Sequence, residues 1–366
     1  MHISFVTNII SIHQMNLWDN FICHKNVEFT YLYTENLSNE KRYNDYKRDY
    51  CVFSKDIQDI NNFLDEQDII IVTLGSIEDE RVNKYLKGKT NLVIYSEHLS
   101  KLNALNSKNK RTIYYFKKLV KRPQYYRGIS RNNLVLCASS HAGYDFHITG
   151  FRKKNIYKFG YFPKYRYNLK IKDNHTMVFA GRNIYWKHYE DSLFALRHLR
   201  DKNYKYFLNI AGKDYPNDLK TEFNNVNLLG ELNHEETINL LFESDLFVFS
   251  STREEGWGVV LAEAMAAGCF VIANSNAGST KYLVRNGYNG LTYNNRKQLI
   301  KCLNQYIGLS DKQKMIIRNN AVNTIKSIWN GEVAADRLYK LCLSLFNKEK
   351  FKKYKSGPLS SDKCRI

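Results

Sequence analysis

Apolar runs recur along the chain at short intervals. HISFVTN (2–8), VEFTYLY (27–33), DIIIVTL (68–74), NLVIYS (91–96) and NLVLCAS (133–139) mark the first half. Within each, apolar positions largely follow one another instead of alternating with polar ones, as expected of parallel strands covered on both faces. A polar, irregular stretch, YFPKYRYNLKIKDNHT (161–176), interrupts the pattern. It restarts with MVFAGR (177–182), YFLNIAGK (206–213), VNLLG (226–230), DLFVFSS (245–251) and CFVIANS (269–275). Helical patterns near 187–202, 234–243, 258–267 and 297–307 fill the intervals. This repetition predicts an α/β protein with two doubly wound, Rossmann-like domains, over 1–165 and 166–330. In such sheets ligands bind outside the carboxyl ends of the strands, and with two domains the expected site is the cleft across which they face each other. In GEVAADRLYKLCLSLF (331–346), Val333, Ala334, Leu338, Leu341, Cys342 and Leu345 share one helical face. A C-terminal helix is therefore expected to pack back, and the charged residues over 347–366 read as a mobile tail.

Composition narrows the class. A chain of 366 residues is comfortable for two domains, and 43% hydrophobic with 14% aromatic residues is ample for packed cores. The seven cysteines form no C-x-x-C and several sit in apolar runs, which predicts buried thiols in a reducing compartment. The start, MHISFVTNII, lacks a basic leader, and no apolar stretch reaches about 18 residues. A soluble, cytoplasmic protein with no spanning helix is expected. The net charge of +19 points to an anionic partner: nucleic acid, an anionic membrane or a phosphorylated substrate. It is concentrated in residues 101–131, which hold ten Lys/Arg and no acid among five tyrosines and phenylalanines. A lysine-rich solvated surface is the plainer reading of the same residues.

The stretch STREEGWGVVLAEAMAAG (251–268) carries the chemistry. From Trp257 to Ile272 the one charged residue is Glu263, on a helix that is apolar almost all round. Such a helix is buried, and an unpaired carboxylate there is costly. Glu263 must meet either an internal partner or the hydroxyls of a ligand, and a ribose diol suits its two oxygens. Gly256 and Gly258 flank Trp257, where a sharp turn lets backbone approach a ligand just ahead of a helix N-terminus, a ready anion site. Glu255 before that turn reads either as a cap or as a ligand contact. Upstream, MVFAGRNIYWKHYED places Arg182 past a strand end and Lys187 at a helix start, a fork and a point charge suited to a pyrophosphate.

These elements, in order, resemble the donor domain of the retaining GT-B glycosyltransferases, glycosyltransferase group 1 or family 4, of the bacterial capsule and cell-surface polysaccharide type. The matching segments are FAGRNIYWK (179–187), LNIAGK (208–213), VNLLGEL (226–232), EGWGVVLAE (255–263) with AMAAG after it, and VRNGYNGL (284–291). The resemblance implies a metal-independent, retaining hexosyltransferase using a nucleotide diphosphate sugar, UDP-sugar favoured, as substrate, with no cofactor. It assigns Glu263 to the ribose, Glu255 to the transferred sugar, Gly256, Trp257 and Gly258 to backbone contacts with sugar and phosphate, and Arg182 and Lys187 to the diphosphate. The first half matches less closely. His13 and Gln14 stand where the family often has Gly-Gly after the first strand, and His98 falls where members often carry a histidine reaching the sugar. No D-x-D motif for a metal occurs.

The implied acceptor is a glycan or a lipid-linked glycan. TIYYFKKLVKR (112–122) would dock the enzyme on the inner face of an anionic membrane, its aromatics at headgroup level and its lysines on lipid phosphates. The alternatives are a nucleotide-sugar epimerase on the same fold, for which no further acid–base set is evident, and a basic nucleic-acid-binding protein. No nucleic-acid-binding motif supports the latter, so no nucleic-acid partner is expected. A scaffold without activity is disfavoured by the intact glutamate pair.

Overall fold

A computed structural model describes residues 1–35, 46–73, 79–87, 89, 92–98, 131–168, 174–216, 218–219 and 224–362. Apart from Arg131, the basic segment 101–131 lies outside the described residues. The chain forms two compact units, Met1–Lys164 with Trp329–Ile366, and Tyr165–Ile328.

The first unit holds strands β1 (His2–Thr7), β2 (Glu28–Tyr33), β3 (Cys51–Phe53), β4 (Ile69–Val72), β5 (Leu92–Ser96), β6 (Leu134–Cys137) and β7 (Ile156–Lys158). They form one parallel sheet in the order β3-β2-β1-β4-β5-β6-β7. Helices α1 (Ile12–Phe21), α2 (Ile60–Asp65), α3 (Glu80–Leu86) and α4 (Ala142–Ile148) are its crossovers among the described residues. Successive side chains of a strand point to opposite faces, so a sheet with both faces covered favours apolar residues in near-continuous runs. In β1, Val6 packs with Leu32, Leu64, Val72 and Leu86 on one face. Phe5, on the other, meets Trp18 of α1 with ring centroids 4.6 Å apart. β4, Ile-Ile-Ile-Val, is buried at every residue.

The C-terminal helix (Gly331–Phe346) belongs to this unit and packs on α1. Tyr339 stacks on His24 just beyond α1, with centroids 4.3 Å apart and planes 2° from parallel. The residues after the helix differ from expectation. Leu359 donates its N–H to the Lys158 carbonyl at 2.8 Å, and Lys158 donates to the Ser360 carbonyl at 2.9 Å, so the tail runs along the open edge of β7. The Arg337 guanidinium holds it from the helix, donating to the carbonyls of Ser356 at 2.6 Å and Pro358 at 2.8 Å. Charge content concealed the anchor: Leu359 is fully buried while Lys352 and Lys355 before it are exposed.

The second unit repeats the scheme. Strands β8 (Thr176–Ala180), β9 (Phe207–Ala211), β10 (Val226–Gly230), β11 (Leu246–Phe249), β12 (Phe270–Asn274) and β13 (Leu291–Tyr293) form a parallel sheet ordered β10-β9-β8-β11-β12-β13. Helices α5 (Tyr189–Asp201), α6 (His234–Glu243), α7 (Val259–Ala266), α8 (Thr280–Leu283), α9 (Arg296–Gly308) and α10 (Asp311–Ser327) cover it. Leu199, Ile210, Val248, Ile272 and Leu303 are among the buried residues of its core. Burying one such side chain contributes about 1.5–3 kcal/mol. No helix among the described residues is long and apolar enough to cross a membrane.

Candidate active site

Strand order reverses once in the second sheet, between β8 and β11. The chain leaves β8 toward one side and β11 toward the other, so the loops at their carboxyl ends diverge and leave a crevice. Arg182 and Lys187 lie on the loop after β8, and Glu255, Gly256, Trp257 and Gly258 on the loop after β11. Hydrogen bonds tie these loops together. Ser250 Oγ donates to the Lys187 carbonyl at 2.7 Å, and the Thr252 N–H donates to the Trp186 carbonyl at 2.8 Å. Across that seam Lys187 Nζ meets Glu255 Oε2 at 2.6 Å, with both side chains largely buried. The exposed Arg182 guanidinium has no carboxylate partner among the described residues.

Two glycines make the crevice possible. At Gly212, after β9, φ is +148°, and a Cβ there would overlap the Gly181 carbonyl, so backbone passes backbone with no room for a side chain. Gly258 has φ +74° and caps α7, and a Cβ on it would run into the Phe249 ring. The cap residue, Gly258, has no side chain with which to cap α7, and of the first N–H groups that of Leu261 donates to the Gly258 carbonyl at 3.1 Å. Trp257 is buried, its carbonyl accepts from the Ser279 N–H at 3.1 Å, and its ring lies 6.0 Å from that of Tyr282. It fixes the turn from inside, where Gly256 and Gly258 are buried with it.

Glu263 stands in the middle of α7 at 6% exposure, and burial pushes its carboxyl up to about 7. Its Oε1 has no hydrogen-bond partner among the described residues. The His234 imidazole stands beside it, with Nδ1 3.7 Å from Oε1. His234 opens α6 just past β10, and its own pKa is lowered by burial. Neither charge nor spacing singles it out in the sequence. The usable signal was the capping box around it, in which Asn233 accepts from the Glu236 N–H at 2.9 Å and Glu236 accepts from the Asn233 N–H at 2.7 Å. That box fixes a helix start at a strand's carboxyl end, facing the crevice side of the sheet.

His13, Gln14 and His98 belong to the first unit. His13 and Gln14 form the first turn of α1. Gln14 is buried, and its amide oxygen accepts from the Tyr31 hydroxyl at 3.2 Å, so it braces the loop from within. The His13 carbonyl accepts from the Phe162 N–H at 3.0 Å. His98 is buried just past β5, its Nδ1 3.3 Å from Ser139 Oγ, with the His141 ring edge-on at 5.9 Å.

Comparison with known proteins bears on this arrangement. Residues 162–322, which take in nearly all of the second unit, match the family of glycosyl transferases group 1. The chain is 25% identical over 282 residues to the uncharacterized glycosyltransferase MJ1069 of Methanocaldococcus jannaschii, covering 72% of this chain and 70% of that protein. Among solved structures it resembles Anabaena HepE in complex with UDP, at TM-score 0.65 and 16% identity, covering 94% of this chain and 100% of that one. It also resembles S. aureus TarM at TM-score 0.54 and 17% identity, covering 78% of this chain but only 57% of TarM. Two doubly wound parallel sheets with these likenesses define a GT-B fold.

Proposed function

We propose that the chain is a glycosyltransferase that takes a nucleotide diphosphate sugar, UDP-sugar favoured, and transfers the hexose with retention to a glycan or lipid-linked acceptor. The observation that carries this reading is the arrangement at the second sheet's reversal point: Lys187 paired with Glu255, an uncapped α7 beside them, and buried Glu263 further along the same helix. Lys187, Arg182 and the first amides of α7 are suited to a diphosphate, and Glu263 to a ribose diol. Glu255 then sits where the sugar joins the phosphate. As the glycosidic bond breaks, negative charge grows on the leaving diphosphate. Fixed cations and amides stabilise that charge without rearranging, and such preorganised electrostatics usually supplies the largest part of catalysis. The reading is therefore metal-independent. The group 1 match and the UDP complex of HepE support it.

The test is incubation with UDP-, GDP- and ADP-sugars, following nucleotide release with and without EDTA and the product anomer by NMR. One nucleotide sugar should be turned over at an EDTA-insensitive rate with retained configuration. Epimerised sugar, or no turnover of any donor, goes against it.

We further propose that the basic segment 101–131 docks the enzyme on an anionic membrane, because each lysine or arginine near such a surface contributes about 1 kcal/mol. Liposome co-sedimentation should require anionic lipid, fall with salt, and drop when Lys117, Lys118, Lys121 and Arg122 become Gln. Salt-insensitive binding, or none, favours a soluble acceptor.

A further inference from the structure

The surroundings of Glu263 include a second polar side chain, that of His234. Its helix, α7, packs against α6, α10 and β12. From α10 comes Arg318, whose guanidinium is taken up by Asp245, donating to the carbonyl at 3.1 Å and to Oδ1 at 3.3 Å. β12, Phe-Val-Ile-Ala-Asn, has no ionisable side chain. From α6, Glu236 is committed to the capping box, and His234 meets the carboxylate. The 3.7 Å between Nδ1 and Oε1 is too long for a good direct hydrogen bond. Among the described residues Oε1 has no donor, and a buried acceptor without one is costly. An acceptor and an imidazole held just out of reach of each other suit a hydroxyl that bonds to both.

We propose that His234 is a second ribose-binding residue, holding one hydroxyl of the nucleotide's vicinal diol between its imidazole and Glu263 Oε1. The hydroxyl donates its proton to the carboxylate and accepts from the imidazole N–H. This rests on the reading of the crevice as a nucleotide-sugar site. His234 is 38% exposed at its side chain, and its helix is capped by Asn233 and Glu236 instead, so replacing it leaves the fold intact.

The experiment is calorimetry of the full chain with UDP, GDP and ADP, then with the 2′-deoxy and 3′-deoxy forms of whichever binds most tightly, and with inorganic pyrophosphate. His234→Ala should weaken the nucleotide about tenfold, the loss of one hydrogen bond assisted by a neighbouring charge. For one of the two deoxy analogues, wild type and variant should bind alike, because the shared hydroxyl is gone. Pyrophosphate should not distinguish them, and His234→Gln, which keeps a donor, should recover part of the loss. Equal affinity of His234→Ala and wild type for the nucleotide overturns the inference, and so does one uniform loss across the nucleotide and both deoxy analogues. A wild type indifferent to all three nucleotides overturns the nucleotide-sugar reading itself, an outcome distinct from a wild type that binds nucleotide without using His234.

Discussion

Glu263→Gln is expected to melt well above wild type at pH 8 in the absence of ligand, and nearly with it at pH 5. Burial raises the carboxyl from an ordinary 4.5 to about 7, so the folded protein holds this proton more tightly than the unfolded chain. The stability gained from the bound proton is fully present below the ordinary value and is lost as pH rises through about 7. At pH 8 wild type must keep a buried carboxylate ionised, at a cost of about 3 kcal/mol, which glutamine of nearly the same shape avoids. For a unit of this size that is worth roughly 2–4 °C per kcal/mol. The same variant should lose most of its response to UDP, since an amide presents one acceptor where a diol meets two. Wild type in UDP at a hundred times its Kd should gain about 2.7 kcal/mol. UDP affinity of wild type should also rise with pH through the same window, as the carboxylate ionises. Scanning calorimetry at the two pH values, with and without UDP, reads all of this. A variant that melts below wild type at pH 8, or responds to UDP as fully, removes Glu263 from the site.

Lys187→Ala should separate phosphate from nucleoside. It deletes a cation at the strand-order reversal and leaves Glu255, 13% exposed at its side chain, without its partner. Losing a charge-assisted contact to phosphate is worth roughly 1.5–3 kcal/mol, about tenfold to a hundredfold in Kd for UDP, with uridine unchanged. Arg182→Ala should behave in the same sense. The pair adds a second expectation. Diphosphate and Glu255 compete for the Lys187 ammonium, so Glu255→Gln should bind UDP at least as tightly as wild type while turnover falls. The double variant should not show the sum of the two single effects, because the residues touch. Equal losses for uridine and UDP in Lys187→Ala would place this lysine away from the phosphates.

Much of the architecture was legible because parallel strands buried on both faces announce themselves as apolar runs. Every such run became a strand, from β1 to β12. What stayed hidden was short or polar. Cys51–Phe53, Ile156–Lys158 and Leu291–Tyr293 are three residues each, too few for any periodicity to register. The helix Asp311–Ser327 is largely polar, with Ile317, Ala321, Val322 and Ile325 as its buried apolar positions. At the site, Glu263 stood out because a lone carboxylate in an apolar helix contradicts its surroundings. The contact between Lys187 and Glu255 could not be read directly, because it depends on β8 and β11 being neighbours, and strand order is not written along the chain. His234 was invisible for a related reason: its meaning comes from a helix packed beside it, not from its own neighbours in sequence. Gln14 shows the converse, a polar residue at a plausible ligand position whose amide serves a buried tyrosine.

The first unit is closed by residues that follow the second unit in the sequence. Gly331 lies against Asn16 of α1, where a Cβ would have no room, and Leu359 and Ser360 seal the edge of β7. The second unit is one continuous span, Tyr165–Ile328, and among the described residues every strand of its sheet comes from that span. Domains usually complete themselves from the N-terminus as the chain leaves the ribosome. In this protein the order of synthesis is inverted against the order of closure: of the two halves, the one whose strands emerge earlier waits for a stretch made after the other is complete.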